Sequence, residues 1–291
     1  MSKLTDISYI KDVMNRNAMN FSKSLGQNFL INPSVCPKMA ENCDCENGVI
    51  EIGTGIGVLS IELCKISKKV VAIEIDKKLL PILKETLADF DNFKVYNDDI
   101  LKIDLKKLID DEFAGEKVSV CANLPYYITS PVIMMLLESK LPIKSITVMV
   151  QKEAATRLCA LPGTKECGAI SAAVRYYCEP EILFQVGKNS FLPAPKVDSS
   201  VIKLNVLDKP NVDILDEKTF FKLIKSSFAQ RRKTMLNSVS SGMGISKEDL
   251  KLAFEKSNIL PNIRGEALSL EQFALLSNAI YERIKAKWEI I

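Results

Sequence analysis

The sequence predicts an α/β protein in which a mostly parallel sheet, covered by helices on both faces, is followed by a small all-α domain. Between residues 49 and 158, short apolar runs rich in Val and Ile alternate with segments of helical periodicity. This alternation is typical of parallel sheets with helices on both faces. Beyond Pro210 only helical patterns remain, which predicts a separate helical domain.

Five strands of the parallel sheet are predicted from short apolar runs. They are VIEIG (49–53), KVVAIEID (69–76), FKVYNDDI (93–100), VSVCANLPY (118–126) and SITVMVQKE (145–153). Helical spacing predicts a helix after the first, second, fourth and fifth of them. In the segment 176–206, two further runs flank the loop FLPAPKVDS. They predict two antiparallel strands appended to the sheet, which would then have seven strands.

The change of pattern near residue 208 divides the chain into two predicted domains, residues 1–208 and 209–291. Residues 1–20 are expected to form a helical, partly flexible lead-in to the first domain. The chain has 291 residues, of which 47% are hydrophobic, and this suffices for one full α/β domain and a smaller second one. No apolar run is long enough for a signal peptide or a membrane span, so we expect a cytoplasmic protein that does not bind membranes.

Cysteine and histidine usage limits the chemistry that the chain can perform. The eight cysteines are scattered without a Cys-x-x-Cys pair, and the sequence contains no histidine. A zinc site needs four ligands with recognisable spacing, so we expect reduced thiols and no metal. Nucleophilic schemes that pair Ser or Cys with His are excluded. The reaction must therefore proceed without an imidazole base.

A glycine-rich turn, GTGIG at 53–57, joins the first predicted strand to the following helix. Glycines there let the chain turn tightly and let a ligand approach the backbone. Glu74 follows the next strand, where a carboxylate can accept both ribose hydroxyls, and Asp99 follows the third. These strand ends should form one crevice for a nucleotide-like cofactor. NAD and S-adenosylmethionine both fit; Val58, in place of the third glycine of the dinucleotide fingerprint, favours S-adenosylmethionine.

The turn Asn123-Leu124-Pro125-Tyr126 follows the fourth predicted strand and is expected at the same sheet edge. The amine of adenine is a poor nucleophile because its lone pair is delocalised into the ring. The Asn123 side-chain oxygen and the Leu124 carbonyl could accept hydrogen bonds from that amine and favour a pyramidal nitrogen. Tyr126 offers a ring on which a flipped base can stack, and Phe191 could cover its other face. An ordinary turn is the alternative, since Asn-x-Pro is common in turns.

A stretch of positive charge lies in the predicted helical domain. From Lys218 to Lys233 there are six basic residues and no acidic one. Such a surface attracts phosphate backbones, although a charged face is more often simply solvated. We expect RNA contacts from four of these residues, namely Lys222, Arg231, Arg232 and Lys233.

Motifs spread over nearly the whole chain resemble the KsgA/RsmA family of small-subunit rRNA adenine N6-dimethyltransferases. The resemblance runs in order from about residue 20 to the end. The motifs are KSLGQNFL (23–30), EIGTGIG (51–57), AIEID (72–76), NDDIL (97–101), NLPYYITSP (123–131), QKEAATRL (151–158), FLPAPKVDSSV (191–201), FAQRRKTMLNS (228–238) and RGEALSLEQF (264–273). NLPY together with GQNFL and PxPKVDS is highly specific as a set.

The resemblance implies a Rossmann-like methyltransferase fold and a set of site residues. S-adenosylmethionine, which becomes S-adenosylhomocysteine, is expected to contact Asn28, Leu30, Gly53, Gly55, Glu74, Asp99 and Asn123. The target adenine is expected to contact Asn123, Leu124, Tyr126 and Phe191. Family members dimethylate two adjacent adenosines in the 3′-terminal hairpin of small-subunit (16S) rRNA during ribosome biogenesis. The expected partner is therefore small-subunit rRNA in an immature 30S subunit, and the expected state is a monomer.

Three alternatives stay open at this point. A relative that methylates large-subunit rRNA and confers macrolide resistance would share the cofactor site, although RGEALSLEQF and FLPAPKVDS favour the small-subunit enzyme. A non-catalytic ribosome assembly factor could keep the fold, although the intact NLPY and Glu74 argue for activity. An NAD-dependent oxidoreductase is disfavoured by Val58 and by the lack of a plausible acid or base for hydride transfer.

Overall fold

The computed structural model describes residues 3–17, 28–230 and 232–288, and confirms the predicted α/β fold class. The chain forms two compact units. One comprises Met1–Ala155 and Pro180–Val206, and the other comprises Thr156–Glu179 and Leu207–Ile291. Within the described ranges, no helix combines the length and the apolar character that crossing a membrane requires.

A seven-stranded sheet forms the centre of the first unit. The strands of the described residues are β1 (Phe29–Leu30), β2 (Val49–Ile52), β3 (Val70–Ile73), β4 (Phe93–Tyr96), β5 (Val118–Asn123), β6 (Ile143–Gln151), β7 (Cys178–Val186), β8 (Phe191–Leu192) and β9 (Ser199–Val206). The order in the large sheet is β4-β3-β2-β5-β6-β9-β7. Strands β2 to β6 pair in parallel, and β9 runs antiparallel to β6. The five predicted parallel strands are therefore confirmed.

Helices follow the strands as the periodicity predicts. The α-helices of the described residues are α1 (Ile7–Arg16), α2 (Val35–Glu41), α3 (Val58–Ile66), α4 (Leu80–Thr86), α5 (Leu105–Phe113), α6 (Thr129–Glu138), α7 (Lys152–Leu158), α8 (Ala169–Tyr177), α9 (Glu217–Phe228), α10 (Met235–Met243), α11 (Lys247–Lys256) and α12 (Leu270–Trp288). Short 3-10 helices occur at Lys3–Thr5, Lys77–Leu79, Lys188–Ser190 and Gly265–Ala267. Crossover helices of this kind are what connect parallel strands.

The central strands are buried along their whole length, as expected where helices cover both faces of a parallel sheet. Every residue of β2 and of β3 is buried. Glu51 interrupts the apolar run of β2, and its carboxyl oxygens have no hydrogen-bond partner among the described residues. Burial raises the pKa of Glu51 to about 8, and the nearby Glu74 acts in the same direction. Burial therefore disfavours the charged form of Glu51.

The N-terminal segment is helical, as expected of a helical, partly flexible lead-in, and its described part packs into the core of the first unit. Over residues 3–17 it is helical, and Ile10, Val13 and Met14 of α1 belong to the core of the first unit. Asp6 caps α1 by accepting a hydrogen bond from the Tyr9 amide at 3.0 Å. Apolar residues spaced three and four apart were the available signal for a packed amphipathic helix. Residues 1, 2 and 18–20 lie outside the described residues.

The second unit has a helical core of its own. Its core includes Phe220, Leu223 and Ile224 of α9. The Tyr176 ring of α8 packs on Phe220, with ring centroids 5.1 Å apart. Residues 156–179 therefore belong to the helical unit. The predicted domain boundary at residue 208 would instead assign them to the domain that contains the sheet. The division into 1–208 and 209–291 stays a prediction.

Glu112 of α5 connects the edge of the sheet to the helix layer, and we expect its replacement to lower stability. Its buried carboxylate pairs with Lys69 at 2.6 Å, and also with Lys94 and the Tyr96 hydroxyl. These donors lower the pKa of Glu112 to about 2. Because this pKa lies below that of the unfolded chain, the stabilisation is present above about pH 4.3 and disappears as the pH falls towards 2.

Urea unfolding at a series of pH values measures this effect. Glu112→Gln should lower the free energy of unfolding by about 1 to 2 kcal/mol at neutral pH, and the difference from wild type should vanish in acid. Asp110→Asn, which breaks the exposed pair with Lys106, is the matched control and should change stability by less than about 0.5 kcal/mol. An equal loss at neutral and acid pH would contradict the electrostatic origin.

Candidate active site

Four adjacent parallel strands bring polar groups and glycines to one edge of the sheet. Gly53 directly follows β2, Glu74 directly follows β3, and Asn123 is the last residue of β5. Asp99 lies three residues beyond the end of β4. All four line a cleft of about 290 Å³, at the carboxyl ends of the strands where ligands bind in open α/β sheets.

The glycine turn at 53–57 has a backbone that side chains rarely permit. Gly53, Gly55 and Gly57 have φ values of 74°, 55° and 92°, in the left-handed region that favours glycine. A Cβ on Gly55 would lie 3.3 Å from the Phe29 ring, whereas one on Gly53 would meet nothing within 4 Å. The turn therefore offers bare backbone to the cleft at Gly53 while Phe29 packs against it at Gly55.

Glu74 is hydrogen-bonded to the glycine turn. Its Oε2 accepts hydrogen bonds from the Thr54 amide at 2.9 Å and from the Thr54 hydroxyl at 3.0 Å. Its Oε1 accepts a hydrogen bond from the Asp76 amide at 2.8 Å. Burial raises the pKa of Glu74, and these donors oppose that rise because they stabilise the carboxylate. The side chain is thus held by β2 and β3 together.

The loop after β4 completes the wall of the cleft beside Glu74. Asn97 donates from its side-chain amide to the Glu74 carbonyl at 2.7 Å, which ties the ends of β3 and β4 together. Asp99 accepts a hydrogen bond from the Leu101 amide at 3.0 Å. Ile75 and Leu101, which are 54% and 44% exposed, also line the cleft. This end of the cleft combines a carboxylate with exposed apolar surface, which suits a heteroaromatic ring.

The Asn-Leu-Pro-Tyr turn forms the opposite end of the same cleft. The Asn123 side chain and the Leu124 carbonyl take part in no hydrogen bond among the described residues, whereas the Pro125 carbonyl accepts one from the Ile128 amide at 3.1 Å. The Tyr126 hydroxyl is 2.9 Å from the Ser199 hydroxyl. Burial raises the pKa of Tyr126. Two acceptors thus remain available beside an aromatic ring whose position is fixed.

A two-stranded antiparallel ribbon carries the remaining cleft residues. Phe29 of β1 pairs with Leu192 of β8, and Leu30 pairs with Phe191. The Ile31 amide donates to the Ser190 carbonyl at 2.8 Å, which extends the ribbon by one hydrogen bond. The pairing places Asn28, Leu30 and Phe191 on the cleft, so segments far apart in the chain share one wall.

The structure brings together every residue predicted for the cofactor and for the target base. All ten predicted residues line the cleft, namely Asn28, Leu30, Gly53, Gly55, Glu74, Asp99, Asn123, Leu124, Tyr126 and Phe191. Their roles stay predictions. Residues 23–27 of the KSLGQNFL motif lie outside the described residues. Thr54, Ser199 and the 62% exposed Tyr127 also belong to this region, and sequence analysis assigned no role to any of them.

The predicted RNA-binding residues that the structure describes lie in the second unit. Arg232 and Lys233 line a second cleft together with Lys247, at the start of α11. Thr234, Asn237, Ser240 and Ser241 provide the rest of its lining. Lys222 lies on α9 instead, where it donates to the Met243 carbonyl at 3.5 Å, and Arg231 lies outside the described residues. Sequence analysis missed Lys247 because it is remote from the basic stretch in the chain.

No cluster of three or more cysteine, aspartate or glutamate side chains in the described part of the chain is arranged to hold a metal ion. The chain has no histidine.

A glycine turn, an acidic strand end and an Asn-Leu-Pro-Tyr turn on one edge of this sheet define the class of Rossmann-like methyltransferases. The family model for ribosomal RNA adenine dimethylase matches residues 18–282. The chain belongs to that family.

Relatives and solved structures agree with this assignment. A ribosomal RNA small subunit methyltransferase A from Clostridioides difficile (strain 630) is 48% identical over 290 residues, which cover 99% of this chain and 100% of the relative. A protein of the same name from Bacillus cytotoxicus is 47% identical and covers 93% of this chain and 94% of its own length.

The solved structures show the same fold at lower identity. A dimethyladenosine transferase from Plasmodium falciparum has a TM-score of 0.72 at 24% identity, covering 87% of this chain and 98% of its own. The 23S rRNA methyltransferase ErmE has a TM-score of 0.69 at 22% identity, covering 87% of this chain and 100% of its own.

Proposed function

We propose that this protein uses S-adenosylmethionine to dimethylate N6 of adenines in small-subunit rRNA. The observation that carries the proposal is that the glycine turn, Glu74 and the Asn-Leu-Pro-Tyr turn line one cleft. The relatives that are 47 and 48% identical over nearly the full chain are named as small-subunit enzymes, which favours this substrate over large-subunit rRNA. The similarity to the 23S enzyme extends only to the fold.

The cleft residues fit the cofactor that the family uses. The open backbone at Gly53 permits close approach of a ligand, and Asn28 and Leu30 contribute to the lining of the same cleft. Asp99, beside the exposed apolar side chains, can accept a hydrogen bond from the cofactor's adenine amine. Thr54 and Asp76 hold the Glu74 carboxylate at the glycine turn, where it can accept hydrogen bonds from the ribose hydroxyls, as the sequence suggests.

The other end of the cleft would hold the target adenine. When bound, S-adenosylmethionine supplies an electrophilic methyl group on a sulfonium. The Asn123 side-chain oxygen and the Leu124 carbonyl accept hydrogen bonds from the adenine amine and orient its lone pair towards that methyl group. Tyr126 and Phe191 hold the base between their rings. The chemistry that the cofactor would supply is transfer of its sulfonium methyl group to N6, with S-adenosylhomocysteine as the leaving group and the amine proton released to water.

The absence of histidine is compatible with this reaction. Because the methylated amine is a strong acid before it loses its proton, it needs no strong protein base. The two acceptors at Asn123 and Leu124 position the amine without removing its proton in advance. The second methyl transfer requires the same geometry once the first methyl group has been accommodated.

The second unit would bind the RNA around the target. Arg232 and Lys233 present two cations with hydroxyl and amide groups in one cleft, a composition suited to phosphate oxygens. Lys222 and Arg231 belong to the same proposed surface. The partner is then an immature 30S subunit, the place of action is the cytoplasm, and the protein acts as a monomer.

We expect the double variant Arg232→Ala/Lys233→Ala to bind small-subunit rRNA about tenfold more weakly at low salt. Each lost phosphate contact should reduce the slope of log affinity against log salt by roughly 0.7 to 0.9. Filter binding at several salt concentrations measures both quantities. Lys209→Ala/Lys251→Ala removes the same charge from exposed positions outside that cleft and is the control. An unchanged slope in the first variant, or equal slopes in the two variants, would refute the RNA role of the cleft.

Methyl transfer to isolated ribosomal subunits tests the proposed function. The purified protein, with labelled S-adenosylmethionine, should place label in small subunits from cells that lack this protein, and mass spectrometry should identify N6,N6-dimethyladenine. Label confined to large subunits would establish the large-subunit alternative. Binding of small subunits without any label, in the presence of bound cofactor, would establish the assembly-factor alternative.

A further inference from the structure

Thr54 is the second residue of the glycine turn, and it has no role in the assignments made so far. We propose that Thr54 is a positioning residue: its hydroxyl holds the Glu74 carboxylate in the orientation that receives the cofactor ribose. The inference rests on the proposed function, since it concerns the cofactor site of the same reaction.

The contacts between the two side chains carry this inference. Thr54 donates twice to Glu74 Oε2, from its amide at 2.9 Å and from its hydroxyl at 3.0 Å. The alternative acceptor of the hydroxyl, the Gly55 carbonyl, is farther away at 3.4 Å. Thr54 and Glu74 are 5% and 4% exposed, so water cannot easily replace a lost donor. The paired donors from Thr54 fix Oε2, and the Asp76 amide donates to Oε1.

A charged acceptor in a buried site gains more from a donor than an exposed one does. No cationic partner of Glu74 occurs among the ion pairs of the described residues, and the groups facing it are acidic. Glu51 lies on β2, Asp76 lies two residues after Glu74 beyond the end of β3, and Asp98 and Asp99 line the cleft beyond β4. The hydroxyl of Thr54 thus helps keep Glu74 ionised as well as oriented.

The chain provides a control for a merely structural effect on the turn. The Thr86 hydroxyl of α4 donates to the Ile56 carbonyl of the same glycine turn at 3.2 Å. It has no hydrogen bond to Glu74 among those of the described residues. Thr86→Val and Thr54→Val each replace one hydroxyl with a methyl group, and each removes one hydroxyl that contacts a residue in or beside the glycine turn. Only Thr54→Val removes a hydrogen-bond donor from Glu74.

Calorimetric titration of the full-length protein with S-adenosylhomocysteine, between about pH 5.5 and 8.5, tests the proposal. Thr54→Val should weaken binding about tenfold at neutral pH. Its affinity should also begin to fall at a higher pH than that of wild type as the solution is acidified, because the lost donor raises the pKa of Glu74. Thr54→Ser should restore both properties. In turnover assays, KM for the cofactor should rise while kcat stays within about twofold.

Several outcomes would overturn the proposal. They are wild-type affinity and pH dependence in Thr54→Val, an equal loss without a pH shift in Thr86→Val and Thr54→Val, or failure of Thr54→Ser to restore binding. Thermal unfolding of the unliganded variants identifies any general loss of structure. A wild-type protein that binds no S-adenosylhomocysteine would instead refute the proposed function, so the two failures are distinguishable.

Discussion

Replacing Asn123 with alanine should lower kcat for methyl transfer by about a hundred- to a thousandfold, the usual cost of removing one positioned hydrogen-bonding group from a transition state. The side chain stands at the end of β5, in the cleft, with no hydrogen-bond partner among the described residues. Its amide oxygen is thus free to accept from the target amine. Without that acceptor the nitrogen lone pair stays delocalised, and its approach to the methyl group is less well aligned.

Single-turnover assays with labelled cofactor and small-subunit rRNA measure this loss directly, because they separate methyl transfer from product release. Asn205→Ala, a substitution of a half-buried asparagine in β9, is the control and should leave the rate within about twofold of wild type. Thermal unfolding should show that Asn123→Ala is folded, since its side chain supports no hydrogen bond of the described structure. A near-normal single-turnover rate in Asn123→Ala would end the positioning role.

The sheet and the cleft follow from features that a single sequence displays. Parallel strands covered on both faces must be apolar throughout, and β2 and β3 are recognisable for that reason. Their carboxyl ends must meet at one edge, so Gly53, Glu74 and Asn123 could be placed together before any coordinates were known. Local periodicity and one topological rule suffice for this placement.

The features that sequence analysis missed depend on contacts between distant segments. The Tyr126 hydroxyl meets Ser199, 73 residues away, and the Asn32 side chain meets Ser190, 158 residues away. Neither partner has a local signature. The recruitment of α8 to the helical unit likewise depends on an aromatic contact with Phe220, which follows from packing and not from periodicity.

The double donation from Thr54 to Glu74 illustrates the same limit within a recognised motif. Spacing places a glycine turn and an acidic strand end side by side, but the second residue of the turn contributes through the direction of its hydroxyl. That direction depends on backbone dihedral angles, including the positive φ of Gly53 and Gly55. A motif therefore predicts which groups meet, whereas coordinates are needed to predict which of them remain free to bind a ligand.

Glu74→Ala should weaken binding of S-adenosylhomocysteine by about a hundredfold, because a hydrogen bond between a buried carboxylate and a hydroxyl is charge-assisted. The variant also leaves the Thr54 and Asp76 amides without their acceptor, so part of the loss can come from a loosened turn. Glu74→Gln keeps the size of the side chain and one carbonyl oxygen. We expect it to lose less affinity than Glu74→Ala while remaining clearly weaker than wild type.

A thermodynamic cycle separates the ribose contact from the effect on the turn. Calorimetry would compare S-adenosylhomocysteine with its 2′-deoxy and 3′-deoxy analogues on wild type and on both variants. In wild type, at least one of the two analogues should bind about tenfold more weakly or worse, because it lacks a hydroxyl that donates to the Glu74 carboxylate. In Glu74→Ala that analogue and the parent ligand should bind almost equally. If the deoxy analogue lost as much affinity in the variant as in wild type, Glu74 would not contact the ribose, and its importance would lie in holding the glycine turn.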